Sequence, residues 1–403
     1  MNRILVLNSG SSSIKFALYD VDHADASLSD LAMRYQGQFF GLGGRSRSLP
    51  GLKLKDADGK SVSSVAMDDL PDHLDHHDAL IRLLGWIEAT PELEDITVVG
   101  HRVVHGGQHY HAPVILDDAT LTELEALSPL APLHQPYSLE PVKSLARQRP
   151  ELMQVACFDT AFHTTQPKIA QQFALPRELT EKGLIRYGFH GLSYDYINCM
   201  LTKRLGGDTG GRVIAAHLGN GASLCAIQDG RSVASTTGFT ALEGLPMGTR
   251  CGSLDPGLVL HLLAEEGMSV GAVGDLLYNR SGLLGVSGIS SDMRELLASD
   301  AASAREAVEL FVYRIAREIG SLAAAMGGLD HLVFTAGIGE HAAPVRQAVC
   351  EACEWLGLTL DDAANQRHAT QINRHDSPIG AWVIPTDEER MIAWYSARLA
   401  ACH

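Results

Sequence analysis

Cysteine is scarce and scattered in this chain, which argues against a disulfide framework. Seven cysteines among 403 residues are odd in number, whereas disulfide-rich domains carry paired cysteines at close spacing. They are Cys157, Cys199, Cys225, Cys251, Cys350, Cys353 and Cys402. Only Cys350 and Cys353 are close in sequence, and no second pair or nearby histidine completes a zinc site. A reducing cytoplasm is therefore the expected location.

Long hydrophobic runs and an excess of positive charge are also lacking. No stretch reaches the roughly 18 apolar residues of a membrane helix, and the apolar run at residues 4–7 is too short for a secretion signal. Lys and Arg number 32 against 48 Asp and Glu, a net charge of −16. This balance disfavours nucleic acid and anionic membranes as partners. With 45% hydrophobic residues, the composition is typical of a packed globular protein.

The two common phosphate-binding signatures are missing, but three other glycine-rich turns follow predicted strands. Neither the P-loop sequence nor the strand–GxGxxG–helix fingerprint occurs. The turns are residues 8–13, 217–221 and 337–339. Because glycine has no Cβ, backbone N–H groups in such turns approach phosphate oxygens closely. One such turn suits an ordinary hairpin, whereas three favour a nucleoside triphosphate held between two lobes.

A strand–glycine turn–strand pattern occurs twice, at residues 4–18 and 213–227. The repeat predicts a duplicated fold with one such unit opening each half. Elsewhere helical and strand patterns alternate, which predicts an α/β fold with mixed sheets. The domain boundary is expected near residue 150, where Arg149-Pro150 interrupts the pattern. The predicted domains are residues 1–150 and 151–386.

Basic residues lie in or beside the glycine-rich segments of this acidic chain. They are Lys15, Arg102, Arg250 and Arg294. An arginine flanked by glycine favours an anion clamp, and a salt bridge is the alternative for each of them. Asn8, Asp159 and Glu388 offer the oxygen ligands that Mg²⁺ prefers, although Glu388 also suits the first turn of a helix.

A cluster of histidines invites comparison with zinc hydrolases. It comprises His101, His105, His109 and His111. The spacing fits no zinc hydrolase motif, and Gly106-Gly107 would break a helix that aligned the first two. Metal binding by this cluster is therefore disfavoured.

Several motifs together resemble the acetate kinase family. They are residues 8–15 (NSGSSSIK), 100–107 (GHRVVHGG), 158–163 (FDTAFH), 186–191 (RYGFHG), 217–223 (HLGNGAS), 247–252 (MGTRCG) and 334–340 (FTAGIGE). The resemblance runs from residue 2 to about residue 395. It implies two duplicated ribonuclease-H-like domains, as in sugar kinases, actin and heat-shock chaperone ATPases, with an interdomain nucleotide cleft. It also implies a homodimer formed through residues 151–386, and a terminal helix at about 387–403 that packs on the first domain.

The activity implied by the resemblance is direct in-line transfer of the ATP γ-phosphoryl group to acetate, giving acetyl phosphate and ADP. Arg102 and Arg250 would bind the carboxylate and the phosphoryl group, His190 and Arg250 would stabilise the transition state, and Asp159 would be the catalytic acidic residue. Asn8 and Glu388 would hold Mg²⁺, or Mn²⁺ in its place. The implied ATP contacts are Ser11, Ser13, Lys15, His217, Leu218, Gly219, Asn220, Gly221, Asp292, Met293, Arg294, Gly337, Ile338, Gly339, Glu340 and His341. His134 and His163 would lie near the site.

The role of Asp159 needs qualification on chemical grounds. A carboxylic acid substrate with a pKa near ~4 is already ionised at pH 7, so it needs no general base. We expect Asp159 to hold Mg²⁺ or its waters, or to orient an arginine.

The sequence departs from the family in the implied acyl pocket, which comprises Val104, Leu133, Phe189 and Ala241. Ala241 stands where the family carries proline, so the pocket gains room and loses a fixed φ. One methylene of fit is worth ~1–3 kcal/mol in such a pocket. We predict better use of propionate than in a typical acetate kinase, measured as kcat/KM for acetate, propionate and butyrate. Ratios left unchanged by Ala241→Pro would contradict this.

Three further departures concern the nucleotide and its surroundings. His341 stands where the family has asparagine, Tyr194 where it has histidine, and Met293 where phenylalanine is often found beside adenine. They bear on nucleotide preference and not on the reaction.

Two kinds of alternative remain. A propionate or other short-chain carboxylate kinase of the same family is the closest. An actin-like or chaperone-like ATPase would share the phosphate turns, but it has no need of Arg102, Arg250 and His190. Acetate-dependent release of ADP separates these classes.

Overall fold

The structure is a computed structural model that describes residues 2–10, 12–21, 27–44, 49–62, 70–90 and 95–402. The chain divides into two compact units, Met1–Ala161 with Asp387–His403, and Phe162–Thr386. Each unit has its own β-sheet and hydrophobic core. Of the predicted ATP contacts, Ser11 lies outside the described residues.

Within its described residues, the first unit contains a seven-stranded mixed sheet of order β4-β3-β2-β1-β5-β7-β6. The strands are β1 Asn2–Gly10, β2 Ser13–Val21, β3 Ala32–Phe40, β4 Gly51–Asp56, β5 Ile96–Val103, β6 Val114–Ile115 and β7 Met153–Phe158. Strands β1, β5 and β7 run parallel, and β1 to β4 form antiparallel pairs. The parallel strands therefore end at the same edge of the sheet.

Helices cover this first sheet. They are His76–Glu88, Asp118–Ala126, Gln135–Gln148 and Glu388–Ala401, with 3₁₀ turns at Leu42–Gly44 and Ser128–Leu130. The C-terminal helix packs on β1 and β5. Gly100 permits this approach, because a Cβ there would overlap the side chains of Ile392 and Ser396. The packing brings the first residues of that helix to the sheet edge where β1 ends.

The division between the units follows a strand. The boundary predicted near residue 150 precedes the division at residue 161, because β7 pairs with β5 and belongs to the first sheet. Asp159 directly follows β7 and donates its backbone N–H to the Val103 carbonyl at 3.1 Å. Asp159 is thereby tied to the end of β5.

The second unit is built on a five-stranded mixed sheet of order β10-β9-β8-β11-β12. The strands are β8 Arg212–Leu218, β9 Ala222–Gln228, β10 Arg231–Ser235, β11 His331–Thr335 and β12 Gly380–Val383. Strands β8, β11 and β12 run parallel, and β8, β9 and β10 form antiparallel pairs. The two sheets share a pattern. In the first, β1 pairs with β2 in a hairpin and with the parallel strand β5 on its other edge. In the second, β8 pairs in the same way with β9 and β11. The predicted α/β fold with two mixed sheets is confirmed.

The core of the second unit lies between its sheet and a long helix. The helices are Lys168–Gln171, Arg177–Glu181, Gly191–Arg204, Pro256–Ala264, Val270–Asn279, Gly282–Ser287, Met293–Leu297, Ala302–Met326, Ala336–His341, Ala343–Ala352 and Asp362–Gln366, with 3₁₀ turns at Ala161–Thr165 and Glu354–Leu356. Ala302–Met326 buries Phe311, Ile315 and Ile319 against the sheet. Cys350 and Cys353 lie in the same core, and burial raises the pKa of both thiols. In the described parts of the chain, no helix has the length and apolar character needed to cross a membrane.

Candidate active site

Polar side chains converge where the parallel strands of the first unit end. Asn8 lies near the end of β1, Arg102 near the end of β5, and Asp159 directly after β7. Lys15 is the cross-strand partner of Asn8 in the β1–β2 hairpin, and directly opposed residues project on the same face of a sheet. Four residues that the sequence analysis singled out therefore lie at one edge of the first sheet.

Arg102 is the centre of this first group. Its Nε donates to Asp159 Oδ1 at 3.0 Å and its Nη2 donates to Oδ2, which is the bidentate geometry that favours strong pairing. Its Nη1 donates to Asn8 Oδ1 at 3.3 Å, and its Nε lies 3.8 Å from Glu388 Oε2. Burial lowers the pKa of Arg102, but the attraction of Asp159 and Glu388 outweighs it and the net shift is upward. Arg102 is therefore a permanent cation.

Two consecutive carboxylates open the C-terminal helix beside Asn8. The Asn8 Nδ2 donates to Glu389 Oε1 at 2.9 Å and to Glu388 Oε2 at 3.5 Å. Burial raises the pKa of Glu389, while Lys15 opposes the shift and Glu388 adds to it. Glu389 was missed by the sequence analysis, although the run Asp387-Glu388-Glu389 was a visible signal. The two carboxylates repel one another, and a cation would relieve this repulsion.

This donor set fits a hard cation bound together with phosphate. No group of three His, Cys, Asp or Glu side chains suited to a metal ion occurs in the parts of the chain that the structure describes. Mg²⁺ takes one or two carboxylates with phosphate oxygens and waters, and it does not need a cage of protein ligands. Asn8, Asp159, Glu388 and Glu389 provide oxygens of this kind.

His190 is the centre of the second group, which lies in the second unit. It precedes the helix Gly191–Arg204 with φ 61° and ψ 24°, a left-handed conformation that costs about 1–2 kcal/mol for a residue with a side chain. Its Nδ1 lies 2.8 Å from Ser223 Oγ. Its imidazole stacks on His217, with ring centroids 4.2 Å apart and planes 16° apart. Both contacts hold the imidazole in place against the backbone strain.

The turn between β8 and β9 brings Arg250 next to His190. In this turn the Gly219 N–H donates to the Gly221 carbonyl at 3.1 Å. A Cβ on Gly221 would lie 3.3 Å from His190 Nε2 and 3.8 Å from Arg250 Nη1. Arg250 Nη1 also donates to the Ala241 carbonyl at 3.1 Å. The predicted catalytic residues His190 and Arg250 therefore lie beside the predicted turn residue Gly221, and Arg250 also bonds the predicted pocket residue Ala241.

His163 supports the backbone on which His190 stands. Its Nε2 donates to the Phe189 carbonyl at 2.9 Å and its Nδ1 lies 2.9 Å from Ser232 Oγ. Burial lowers the pKa of His163 to about 4, although the bond to Phe189 opposes the shift. His163 is therefore neutral at pH 7. It fixes the Phe189 carbonyl, and so influences His190 only through the backbone. His134, the other histidine expected nearby, precedes the helix Gln135–Gln148 in the first unit.

Several of the predicted nucleotide contacts have side chains that lie in the hydrophobic core or in an exposed ion pair. Met293 is only 3% exposed and Leu218 is fully buried, and both side chains belong to the hydrophobic core. Ile338 packs against the same core. Arg294 is 88% exposed and pairs with Asp292, two residues before it. The side chains of Met293 and Leu218 therefore serve packing.

Other predicted contacts lie at the ends of strands and helices. Glu340 Oε1 accepts the backbone N–H of Thr386 at 3.2 Å, and the exposed His341 lies 3.9 Å from Glu340 Oε2. Among the pocket residues, Val104 and Phe189 are buried, whereas Leu133 is exposed. Val104 and Leu133 belong to the first unit, Phe189 to the second.

Two histidines of the cluster, His101 and His105, have structural partners. His101 Nε2 lies 2.9 Å from Gln154 Oε1, and His105 Nδ1 accepts the Gly107 N–H at 2.9 Å. Burial lowers the pKa of both to about 4, opposed at His101 by the bond to Gln154. Both imidazoles are therefore neutral at pH 7.

Two mixed sheets, an arginine paired with carboxylates in the first unit, and an arginine beside an imidazole at a glycine-rich turn in the second are features of an α/β phosphotransferase. The model of the acetokinase family matches residues 3–394. A protein named acetate kinase from Rhodopseudomonas palustris (strain TIE-1) is 54% identical over 400 residues, which cover 98% of each chain. The chain belongs to the acetokinase family, and the resemblance read from the motifs is confirmed.

Solved structures of similar proteins agree. A propionate kinase from Francisella tularensis subsp. tularensis SCHU S4 is 36% identical with a TM-score of 0.89, covering 98% of this chain and 99% of that one. An acetate kinase from Porphyromonas gingivalis is also 36% identical, with a TM-score of 0.86, covering 99% of this chain and 100% of that one. The fold is therefore shared along nearly the whole chain.

Proposed function

We propose that this chain is an acetate kinase, which reversibly transfers the γ-phosphoryl group of ATP to acetate and yields acetyl phosphate and ADP. The observation that carries the proposal is the meeting of Arg250 and His190 at Gly221 in a glycine-rich turn, in a chain of the acetokinase family. A cation and an imidazole beside such a turn suit the oxygens of a migrating phosphoryl group.

The proposed chemistry is positioning and charge stabilisation. Phosphoryl transfer spreads negative charge over three equatorial oxygens and needs little covalent chemistry from the protein. Arg250 and His190 stabilise that charge, and Arg102 binds the acetate carboxylate. Because acetate is already ionised at pH 7, it attacks phosphorus without losing a proton. The bond from phosphorus to the ADP oxygen breaks as the bond to the acetate oxygen forms.

Mg²⁺ is the proposed cofactor, with Asn8 and Glu388 as its ligands and Glu389 beside them. When bound, Mg²⁺ supplies charge neutralisation at the phosphate oxygens. Asn8 orients the carboxylates through its amide. Asp159 accepts two hydrogen bonds from the Arg102 guanidinium, which favours a role in orienting this arginine over a role as a base. Mn²⁺ is the expected substitute.

The Asp159→Asn variant separates the two remaining roles of this residue. An amide cannot accept both guanidinium bonds, so Arg102 loses its orientation. We expect kcat to fall about 10²-fold or more and the KM for acetate to rise. The apparent Kd for Mg²⁺ should stay near the wild-type value, because Asn8 and Glu388 remain.

The Mg²⁺ titration of that variant, followed by initial rates at saturating ATP, decides between the roles. Glu388→Gln is the matched comparison and should weaken Mg²⁺ binding. If Asp159→Asn weakens Mg²⁺ binding as strongly as Glu388→Gln does, Asp159 is a metal ligand and the arginine-orienting role is wrong.

We also propose a homodimer formed by the second unit. The helix Pro256–Ala264 has no buried residue in the isolated chain. Leu260 is 66% exposed, and Val270 in the next helix is 79% exposed. An apolar helix of this kind marks a protein–protein interface. ATP, ADP, acetate and acetyl phosphate are the proposed small-molecule partners, and the unpaired cysteines support a cytoplasmic location.

The Leu260→Asp variant tests this interface. A charge at the centre of an apolar interface lacks a partner and costs several kcal/mol on association. We expect the variant to elute as a monomer in size-exclusion chromatography with light scattering, whereas wild type elutes as a dimer. Ile169→Asp, at an exposed apolar residue of a different helix, Lys168–Gln171, should remain dimeric. A dimeric Leu260→Asp protein would place the interface elsewhere.

Propionate is the second candidate substrate, and Ala241 is the observation that favours it. The carbonyl of Ala241 accepts a bond from Arg250, so this residue lies beside the guanidinium that is proposed to meet the phosphoryl group. The test is formation of acyl hydroxamate from ATP and a series of acids in the presence of hydroxylamine, which traps acyl phosphates. Acetate should give product at the highest kcat/KM, with propionate next. An ATPase of the actin or chaperone type would release phosphate and trap no hydroxamate.

A further inference from the structure

A buried row of hydroxyl groups leads to the imidazole of His190. Tyr194 is fully buried one turn into the helix that follows His190. Its hydroxyl lies 2.5 Å from Ser223 Oγ, and Ser223 Oγ lies 2.8 Å from His190 Nδ1. Ser223 is itself buried in β9. The three side chains thus form one continuous hydrogen-bonded row.

The direction of the protons in this row follows from the chemistry of its members. Burial raises the pKa of Tyr194 well above 10, so its hydroxyl keeps its proton and donates. A phenol is a stronger acid than an aliphatic alcohol, so Tyr194 donates to Ser223 and Ser223 accepts. Ser223 then has its own proton to give to His190 Nδ1. A neutral imidazole has one donor and one acceptor nitrogen, so the ring proton lies on Nε2.

The neighbours of the ring favour its neutral form. His217 stacks on it at 4.2 Å, and Arg250 lies on the side of Gly221 that His190 Nε2 faces. A second positive charge on His190 would be repelled by the Arg250 guanidinium. The stacked partner has a similar arrangement, since His217 Nδ1 lies 2.8 Å from Ser193 Oγ, which lies 2.8 Å from Thr386 Oγ1.

We propose that Tyr194, acting through Ser223, fixes His190 as the neutral tautomer that carries its proton on Nε2 and donates that proton in a hydrogen bond to the migrating phosphoryl group. Tyr194 and Ser223 are positioning residues, and the role of His190 rests on the proposed function. The consequence is that His190 stabilises the transition state as a neutral donor and leaves the positive charge to Arg250.

Kinetics of three variants test the row. Ser223→Ala and Tyr194→Phe should each lower kcat by about 10–100-fold, as is found for groups that orient metal-binding histidines, with the KM for ATP and acetate little changed. The double variant should be no slower than Ser223→Ala alone, because both changes break one row. Tyr187→Phe is the control, since it removes another buried hydroxyl, which donates to the Gly183 carbonyl at 2.8 Å. Multiplying effects in the double variant would overturn the proposal.

The tautomer itself is measurable without turnover. In protein labelled with ¹⁵N-histidine, the His190 signals are assigned by their loss in His190→Gln. At pH 7 we expect Nδ1 to give the signal of an unprotonated ring nitrogen and Nε2 that of a protonated one. Tyr194→Phe and Ser223→Ala should shift both signals toward a mixture of tautomers. A protonated Nδ1 in the wild type would overturn the proposal even if acetyl phosphate is formed, and an inactive enzyme with the expected signals would overturn only the proposed function.

Discussion

The Arg250→Ala variant is expected to lower kcat about 10³-fold or more, because a guanidinium that meets the migrating phosphoryl group is typically worth 10³–10⁵ in rate. The structure places this guanidinium beside His190 at Gly221, with one bond to the Ala241 carbonyl. The KM for ATP should change much less than kcat, since the charge develops in the transition state.

Steady-state rates of hydroxamate formation measure this effect. Arg250→Lys should be more active than Arg250→Ala, since lysine restores the positive charge but lacks the planar set of donors of a guanidinium. Arg280→Ala is the control, since Arg280 is an exposed arginine of the same unit paired with Asp275. If Arg250→Ala raised only the KM for acetate and left kcat intact, Arg250 would bind the ground state and the assigned role would be wrong.

The Arg346→Ala variant is expected to lower the free energy of unfolding by about 3–5 kcal/mol, as for other buried charged groups whose partners are left unpaired. Arg346 is fully buried, and burial lowers its pKa. Its guanidinium donates to the carbonyls of Gly339, Glu340 and Asn365 and to Asn365 Oδ1, at 2.8–2.9 Å. Removing it would take this donor away from the buried Gly339 and Asn365 carbonyls and from Asn365 Oδ1.

Urea unfolding followed by circular dichroism measures this loss. Because Gly339 and Glu340 belong to the segment predicted to bind ATP, the KM for ATP should rise in any variant that still folds. Arg305→Ala is the matched control, since Arg305 is exposed and bonds a single carbonyl, that of Asp300, so a change within about 0.5 kcal/mol is expected. An equal, small change in both variants would contradict the account of Arg346.

Local patterns predicted the α/β fold and placed Asn8 and Asp159 at the ends of strands, whereas the roles of the first group came from the resemblance to the acetokinase family. Alternating apolar residues and glycine turns mark β1, β2, β8 and β9. Asn8, Arg102 and Asp159 then meet because parallel strands end at one edge of a sheet. Strand periodicity is a short-range property, so one sequence suffices to read it.

What the sequence could not supply depends on packing between distant segments. Ser223 looks like any residue of a strand until Tyr194 and His190 are seen on either side of it. Met293 follows the capping residue Asp292, where an apolar side chain fits either adenine or the core, and the structure places it in the core. Glu389 was passed over because only the packed helix shows which of two neighbouring glutamates Asn8 holds more closely.

The account rests on acetate as the acceptor of the phosphoryl group, and the ratio of trapped acetyl hydroxamate to ADP tests this most directly. Purified protein is incubated with ATP, Mg²⁺, acetate and hydroxylamine, and both products are measured at the same times. The account predicts one acetyl hydroxamate for each ADP, and no ADP above background when acetate is omitted. Release of ADP at the same rate with and without acetate, and without hydroxamate, would contradict it.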